Sequence, residues 1–305
     1  MNWEKPIPRR LRLVQASGMP GGGDSRGLER RLGKSQINGG CLSIVAVLLF
    51  CASQFTVAPA LAAERVLDLP LHGGDRQRAL YVSPPHPRAT IVMLPGGAGD
   101  VGLTGDGDIA RGNNFVVRSR ALWLAAGFAV LIPDAVDGRN LRGLRSSPDY
   151  AALVGDLVVT AHVQAQGPVF LLGTSQGAIA AMNGAAHLRD GEIAGVVLTE
   201  SVSRFGGSHE TVFDAHPERV NVPALVVANS DDRCNVAPPE DADKIAAAMS
   251  GSPSVKVLRV SGGEQRSSRD CGSLSPHGYY GIEQQVVDGI AAWLNAAIES
   301  ASQKL

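Results

Sequence analysis

A serine, a histidine and an aspartate stand where together they could carry out nucleophilic chemistry. The serine is Ser175, in Gly173-Thr174-Ser175-Gln176-Gly177. An apolar run, Val169–Leu172, leads into this segment, and the helix-forming run Ile179-Ala180-Ala181-Met182 leads out of it. G-x-S-x-G between a strand and a helix makes a sharp turn that exposes the serine at its tip. A serine hydroxyl attacks only when a base takes its proton, and a histidine held by a buried carboxylate is suited to that task. For a serine on such a turn, the acid and then the histidine follow later in the chain.

Elimination finds the histidine. The chain has His72, His86, His162, His187, His209, His216 and His277. Only His277 follows the last β-rich run, in Ser275-Pro276-His277-Gly278, where Gly278 would let the backbone turn. His162 and His187 fall in helical runs, while His209 and His216 lie on a long connection from which they could line a pocket. The acid should follow the run Ala224–Val227, where Asp231 and Asp232 stand side by side. On residue types alone both remain open, with Glu200 a more distant candidate. Two backbone donors are needed for an oxyanion. One is the N–H of Gln176, after the serine; the other comes from Leu94-Pro95-Gly96-Gly97, with Gly97 favoured and Gly96 next.

The elements that must position these residues are readable. Glu64–Leu71 and Arg78–Val82 suggest a hairpin around Gly73-Gly74-Asp75. Short Val/Ile/Leu runs follow at Thr90–Leu94, Ala129–Ile132, Val169–Leu172, Ala194–Leu198, Ala224–Val227 and Val255–Val260. Such runs suit strands covered on both faces. Helical patterns lie between them at about 117–126, 149–164, 176–187 and 239–249, with a last one at about 281–298. This alternation predicts an α/β fold: a mostly parallel central sheet flanked by helices on both faces. Ligands in such sheets bind at the carboxyl ends of the strands. Two long connections, Gly96–Asn114 and Ser201–Asn221, should border the site, and neither is long enough for a large cap domain.

Residues 1–63 differ from the rest. A basic, Gly-rich stretch precedes the apolar run from Cys41, which ends in Ala60-Leu61-Ala62. This pattern predicts a secretory signal peptide with a long basic leader, cleaved near Ala62 or Ala63, and a catalytic domain over 64–305. A retained membrane anchor is the alternative. With the signal removed, no stable membrane span is expected. Eight of 28 Lys and Arg and three of 29 Asp and Glu lie in residues 1–63, leaving 20 basic against 26 acidic, about −6. That balance argues against nucleic acid as a partner. Of four cysteines, Cys234 and Cys271 remain, an even pair in a chain bound for an oxidising compartment, secreted or periplasmic; a disulfide between them is expected. Zinc spacing is absent around them. Gly96-Gly97-Ala98-Gly99 matches neither a dinucleotide fingerprint nor a phosphate loop, and Asp106-Gly107-Asp108 lacks the other ligands of a calcium loop.

Taken together, Leu94-Pro95-Gly96-Gly97, Gly173 to Gly177, Asp232-Arg233-Cys234 and Cys271 through His277-Gly278 resemble the α/β-hydrolase superfamily. The likeness covers about residues 66–298 and is strongest to its small, capless dienelactone-hydrolase-like esterases. Acid-x-Cys with a later Cys, loop and His-Gly looks like a subgroup of exported bacterial hydrolases. That likeness selects Asp232 over Asp231 as the acid, leaving Asp231 as a turn residue. Dienelactone hydrolases proper use a cysteine nucleophile where this chain has Ser175, so their substrate does not carry over. The His-Gly-Gly of many lipases is replaced by Pro95-Gly96-Gly97. The resemblance implies hydrolysis of a small-molecule carboxylic ester, with Ser175, Asp232 and His277 as triad, Gly97 and Gln176 as oxyanion donors, and no metal or organic cofactor. Acyl transfer or peptide cleavage by the same residues, and ligand binding without chemistry, are the competing readings.

Overall fold

The computed structural model describes residues 63–71 and 74–303. The expected signal segment lies outside them, except for Ala63, which opens the first strand. The order is β1 (Ala63–Pro70), β2 (Arg76–Ser83), β3 (Thr90–Leu94), α1 (Phe115–Arg118), α2 (Arg120–Ala125), β4 (Ala129–Pro133) and α3 (Pro148–Gln164). It continues with β5 (Val169–Thr174), α4 (Gln176–His187), β6 (Gly195–Thr199), β7 (Ala224–Asn229), α5 (Ala242–Ala248), β8 (Val255–Val260) and α6 (Glu283–Ser302).

The strands form one sheet in the order β1-β2-β4-β3-β5-β6-β7-β8. β1 pairs with β2, and β2 with β4, antiparallel. Every other pairing is parallel. The period of two along each strand divides the core. Val92, Leu94, Leu131, Leu171, Val196 and Val226 share one cluster with buried residues of α3, α4 and α5. Ile91, Met93, Val130, Phe170, Val197 and Leu225 share the other with residues of α1, α2 and α6. Among the described residues, no helix is long and apolar enough to cross a membrane.

Two helical expectations differ from the structure. The stretch expected as one helix at 117–126 is divided at Ser119. The Ser119 hydroxyl donates to the Phe115 carbonyl (2.7 Å) and accepts from Trp123 Nε1 (3.2 Å). A hydroxyl that competes for the backbone in this way favours a break. The stretch expected at 239–249 begins as a 3-10 turn, Pro239–Asp241, and becomes α5 only at Ala242.

Candidate active site

Ser175 sits between β5 and α4 with φ +53° and ψ −121°. A non-glycine residue in that region costs about 1–3 kcal/mol and persists only where its surroundings enforce it. Here they do. The Ser175 amide donates to the Thr199 carbonyl of β6 (2.9 Å), and Thr199 Oγ1 donates to the Gly173 carbonyl (3.1 Å). The two motif glycines are required by close approach. A Cβ on Gly173 would lie 2.1 Å from the Gly177 carbonyl oxygen, and one on Gly177 would lie 2.1 Å from that of Leu94. The turn is therefore pressed between its own helix and the end of β3.

Ser175 Oγ lies 2.9 Å from His277 Nε2, and His277 Nδ1 lies 2.7 Å from Asp232 Oδ2. A carboxylate only accepts, so Nδ1 carries the proton and Nε2 faces the serine as acceptor. His277 and Asp232 are both buried. Asp232 Oδ1 accepts from the Cys234 amide (2.8 Å). Asp231 points elsewhere: its Oδ2 accepts from the Gly262 amide (2.6 Å) and ties the loop after β7 to the loop after β8. Cys234 and Cys271 form a disulfide between those same two loops.

Gly97 and Gln176 line the same pocket as Ser175 and His277. Gly97 has φ +62°, and Gly96 packs so closely that its Cβ would meet the Thr174 carbonyl oxygen at 2.9 Å. Among the described residues, neither the Gly97 nor the Gln176 amide donates to a protein acceptor. The Ser175 amide is spent on Thr199, so it is no oxyanion donor.

The pocket has a volume of about 900 Å³. Both long connections border it: Ala110 and Asn113 come from the first, and Gly206 and Ser208 from the second. His209 and His216 do not line it; the His216 ring stacks edge-on against His187, 5.6 Å between centroids. The rim is polar. Arg111 pairs with Asp100 (2.6 Å), whereas Arg142 and Arg269 have no carboxylate partner among the described residues. Glu200, Asp232 and His277 place one ligand atom each within 4.8 Å of one another. Bonds of about 2.0–2.2 Å to one tetrahedral ion would hold such atoms roughly 3.4 Å apart. The 2.7 Å contact between Asp232 and His277 is instead a hydrogen bond.

Several positioning groups were not apparent in the sequence. Arg118, at the end of α1, donates to the carbonyls of Gly278 (2.7 Å) and Ser273 (3.2 Å), and also to that of Asn113. Its Nε pairs with Glu283 (2.8 Å). It thus clamps the His277 loop to the loop before α1. Asn229 Nδ2 holds the same loop through the carbonyls of Gly262 (2.9 Å) and Pro276 (3.0 Å). Asp134, after β4, accepts from the amides of Val101 and Leu103, each at 2.7 Å, and anchors the glycine-rich connection. Arg145, buried beneath that connection, donates to the Pro95 carbonyl (3.3 Å), and burial lowers its pKa. The only trace of Arg118 in the sequence is a charge closing the apolar run Phe115-Val116-Val117. Gly278 has a different role from the one expected. Tyr279 takes the left-handed turn, φ +55°, while Gly278 is needed because a Cβ there would meet the Ser273 carbonyl oxygen at 2.0 Å.

No protein-family model matches the chain, and no curated protein matches it. Solved structures do match. A dienelactone hydrolase from Anabaena variabilis superposes with TM-score 0.54 at 15% identity, covering 77% of this chain and 98% of that one. An esterase from Pyrococcus furiosus gives TM-score 0.56 at 11% identity, covering 77% and 93%. An alpha-beta serine hydrolase homologue from Coxiella burnetii gives TM-score 0.53 at 17% identity, covering 76% and 97%. With its eight-stranded, mostly parallel sheet and these neighbours, the chain has the α/β-hydrolase fold.

Proposed function

We propose that this chain is a serine hydrolase that cleaves a small carboxylic ester through an acyl-enzyme on Ser175. The observation that carries the reading is the continuous path from Ser175 Oγ through His277 to Asp232, at 2.9 and 2.7 Å, beneath an accessible pocket. Ser175 Oγ attacks the acyl carbon as His277 Nε2 takes its proton. The negative charge that develops on the carbonyl oxygen is met by the Gly97 and Gln176 amides, which have no competing protein acceptor among the described residues. The imidazolium then protonates the leaving alkoxide, and the alcohol departs. Water, deprotonated by His277, attacks the acyl-enzyme, and collapse of the second intermediate releases the acid and restores Ser175. Asp232 keeps the proton on Nδ1 throughout.

The Cys234–Cys271 disulfide supports a protein exported to an oxidising compartment, secreted or periplasmic. The test uses the full chain with a fluorophosphonate probe and a nitrophenyl ester. Labelling and turnover should both vanish in Ser175→Ala. Turnover that survives this substitution, or failure of the wild type to label, would reject the assignment.

A further inference from the structure

Glu200 follows β6 directly and has no part in the proton path from Ser175 to Asp232. Its side chain is 1% exposed, and its backbone is left-handed, φ +44°. Its amide donates to the Val227 carbonyl (3.1 Å). One carboxyl oxygen, Oε1, accepts from the Asn229 amide (2.7 Å). The other, Oε2, is buried and meets no hydrogen-bond donor. The ionisable groups beside the Glu200 carboxyl are Asp232 from the β7 loop, and His277 and Tyr279 from the loop after β8; of these the Tyr279 hydroxyl favours the charged form and Asp232 opposes it. The Tyr279 hydroxyl donates to the Val227 carbonyl (3.2 Å). No cation forms an ion pair with Glu200 among the described residues.

Two buried carboxylates this close cannot both be charged at small cost. An ionised Glu200 would leave Oε2 as an anionic oxygen beside another carboxylate. The one nearby hydroxyl, that of Tyr279, is already donated to the Val227 carbonyl, so no donor in hydrogen-bond geometry repays its desolvation. A proton on Oε2 removes the difficulty, because it turns the orphan acceptor into a donor beside an acceptor. Glu200 is the group to hold that proton. Asp232 already receives two N–H donors, from Cys234 and His277, whereas Glu200 receives one. We infer that Glu200 is a neutral carboxylic acid that donates from Oε2 to Asp232, so that His277 is oriented by an acid–carboxylate pair rather than by a lone aspartate. Burial, and next the charge of Asp232, push the Glu200 pKa well above the usual carboxylate range, against smaller opposing contributions from the Tyr279 hydroxyl and the Asn229 amide. Tyr279 is pushed up as well, by burial first and by Glu200 next.

Glu200 is thereby a positioning residue: it acts on the base through Asp232. Its donated hydrogen bond draws charge from Asp232 and moderates how strongly Asp232 holds the imidazolium. This rests on the triad reading above for its consequence in catalysis, but not for the protonation itself.

The test pairs an infrared measurement with pH–rate profiles on the full chain. At neutral pH the wild type should show the C=O stretch of a protonated buried carboxyl group, lost in Glu200→Gln. Glutamine keeps a donor to Asp232 and an acceptor for the Asn229 amide, so the acidic limb of kcat/KM should move by less than about 0.3 pH unit. Glu200→Met removes the donor, and the limb should rise by roughly 0.5–1 pH unit with a fall in kcat. If Glu200 were ionised, Glu200→Gln would remove a negative charge beside the imidazolium. The limb would then drop by about one unit or more, and the infrared band would be absent; either result overturns the inference. Unchanged limbs in both variants would also overturn it. Should Glu200→Met fail to fold, the band and the Glu200→Gln profile decide alone. A band that is present in a protein without esterase activity would sink the hydrolase reading and leave the protonated Glu200 standing.

Discussion

Removing the disulfide should cost more in stability than in catalysis, and the structure indicates by how much. The bridge joins Cys234 and Cys271, 37 positions apart in the sequence, across a stretch that contains α5 and β8. In the chain-entropy view, closing a loop of that length restrains the unfolded chain by roughly 4 kcal/mol at 25 °C. For a domain of this size that corresponds to a fall in Tm of roughly 8–15 °C. The perturbation is the double substitution Cys234→Ala with Cys271→Ser, alanine being chosen where the sulfur is buried. In the folded state the His277 loop keeps its other ties. Arg118 holds it from α1, Asn229 from the end of β7, and Asp231 through the Gly262 amide. With those in place, kcat/KM measured well below the new Tm should fall by no more than about tenfold, or 1.4 kcal/mol of transition-state stabilisation. Thermal melts and nitrophenyl-ester kinetics on the same preparations measure both. A melting shift under about 2 °C would refute the loop-closure account. A collapse in turnover beyond about 100-fold in a fully folded variant would show that the bridge, not the hydrogen bonds, holds acid and base together.

Three further outcomes follow from the site. Gly177→Ala should destabilise by at least about 3 kcal/mol, because its Cβ would meet the Leu94 carbonyl oxygen at 2.1 Å in backbone that cannot yield; a urea melt reads this. Arg118→Ala frees the Gly278 and Ser273 carbonyls from α1 and should lower kcat/KM by roughly 10–100-fold, with helical signal retained in circular dichroism. Stability of Glu200→Gln relative to wild type should rise with pH. The folded pKa of Glu200 is raised, so its contribution is complete below the ordinary value of 4.5 and is lost as pH climbs toward the folded pKa. The gap should widen by at most about 1.4 kcal/mol per pH unit above pH 4.5, measured by denaturant titration at several pH values.

Local chemistry made much of this legible from residue order. Val/Ile/Leu runs and the patterns between them identify β3 to β8 and most helices, because strands covered on both faces must be apolar throughout. G-x-S-x-G between strand and helix singles out Ser175, since only glycines fit the contacts on either side of that turn. The place of His277 after the last strand, and of an Asp pair after β7, follows from chain order. What spacing could not decide was which aspartate faces the histidine. Adjacent side chains in an irregular turn point in directions set by the backbone, and only the fold sends Asp232 to His277 and Asp231 to Gly262. The clamps by Arg118 and Asn229 were invisible for a related reason. They act on carbonyls tens to more than a hundred residues away, and a carbonyl has no sequence signature. Glu200 is the sharpest case. In the sequence it is one more acid after a strand, a distant rival to Asp232. The parallel pairing of β6 with β7 sets it beside Asp232, and the exclusion of water there makes it costly for the two to be charged together.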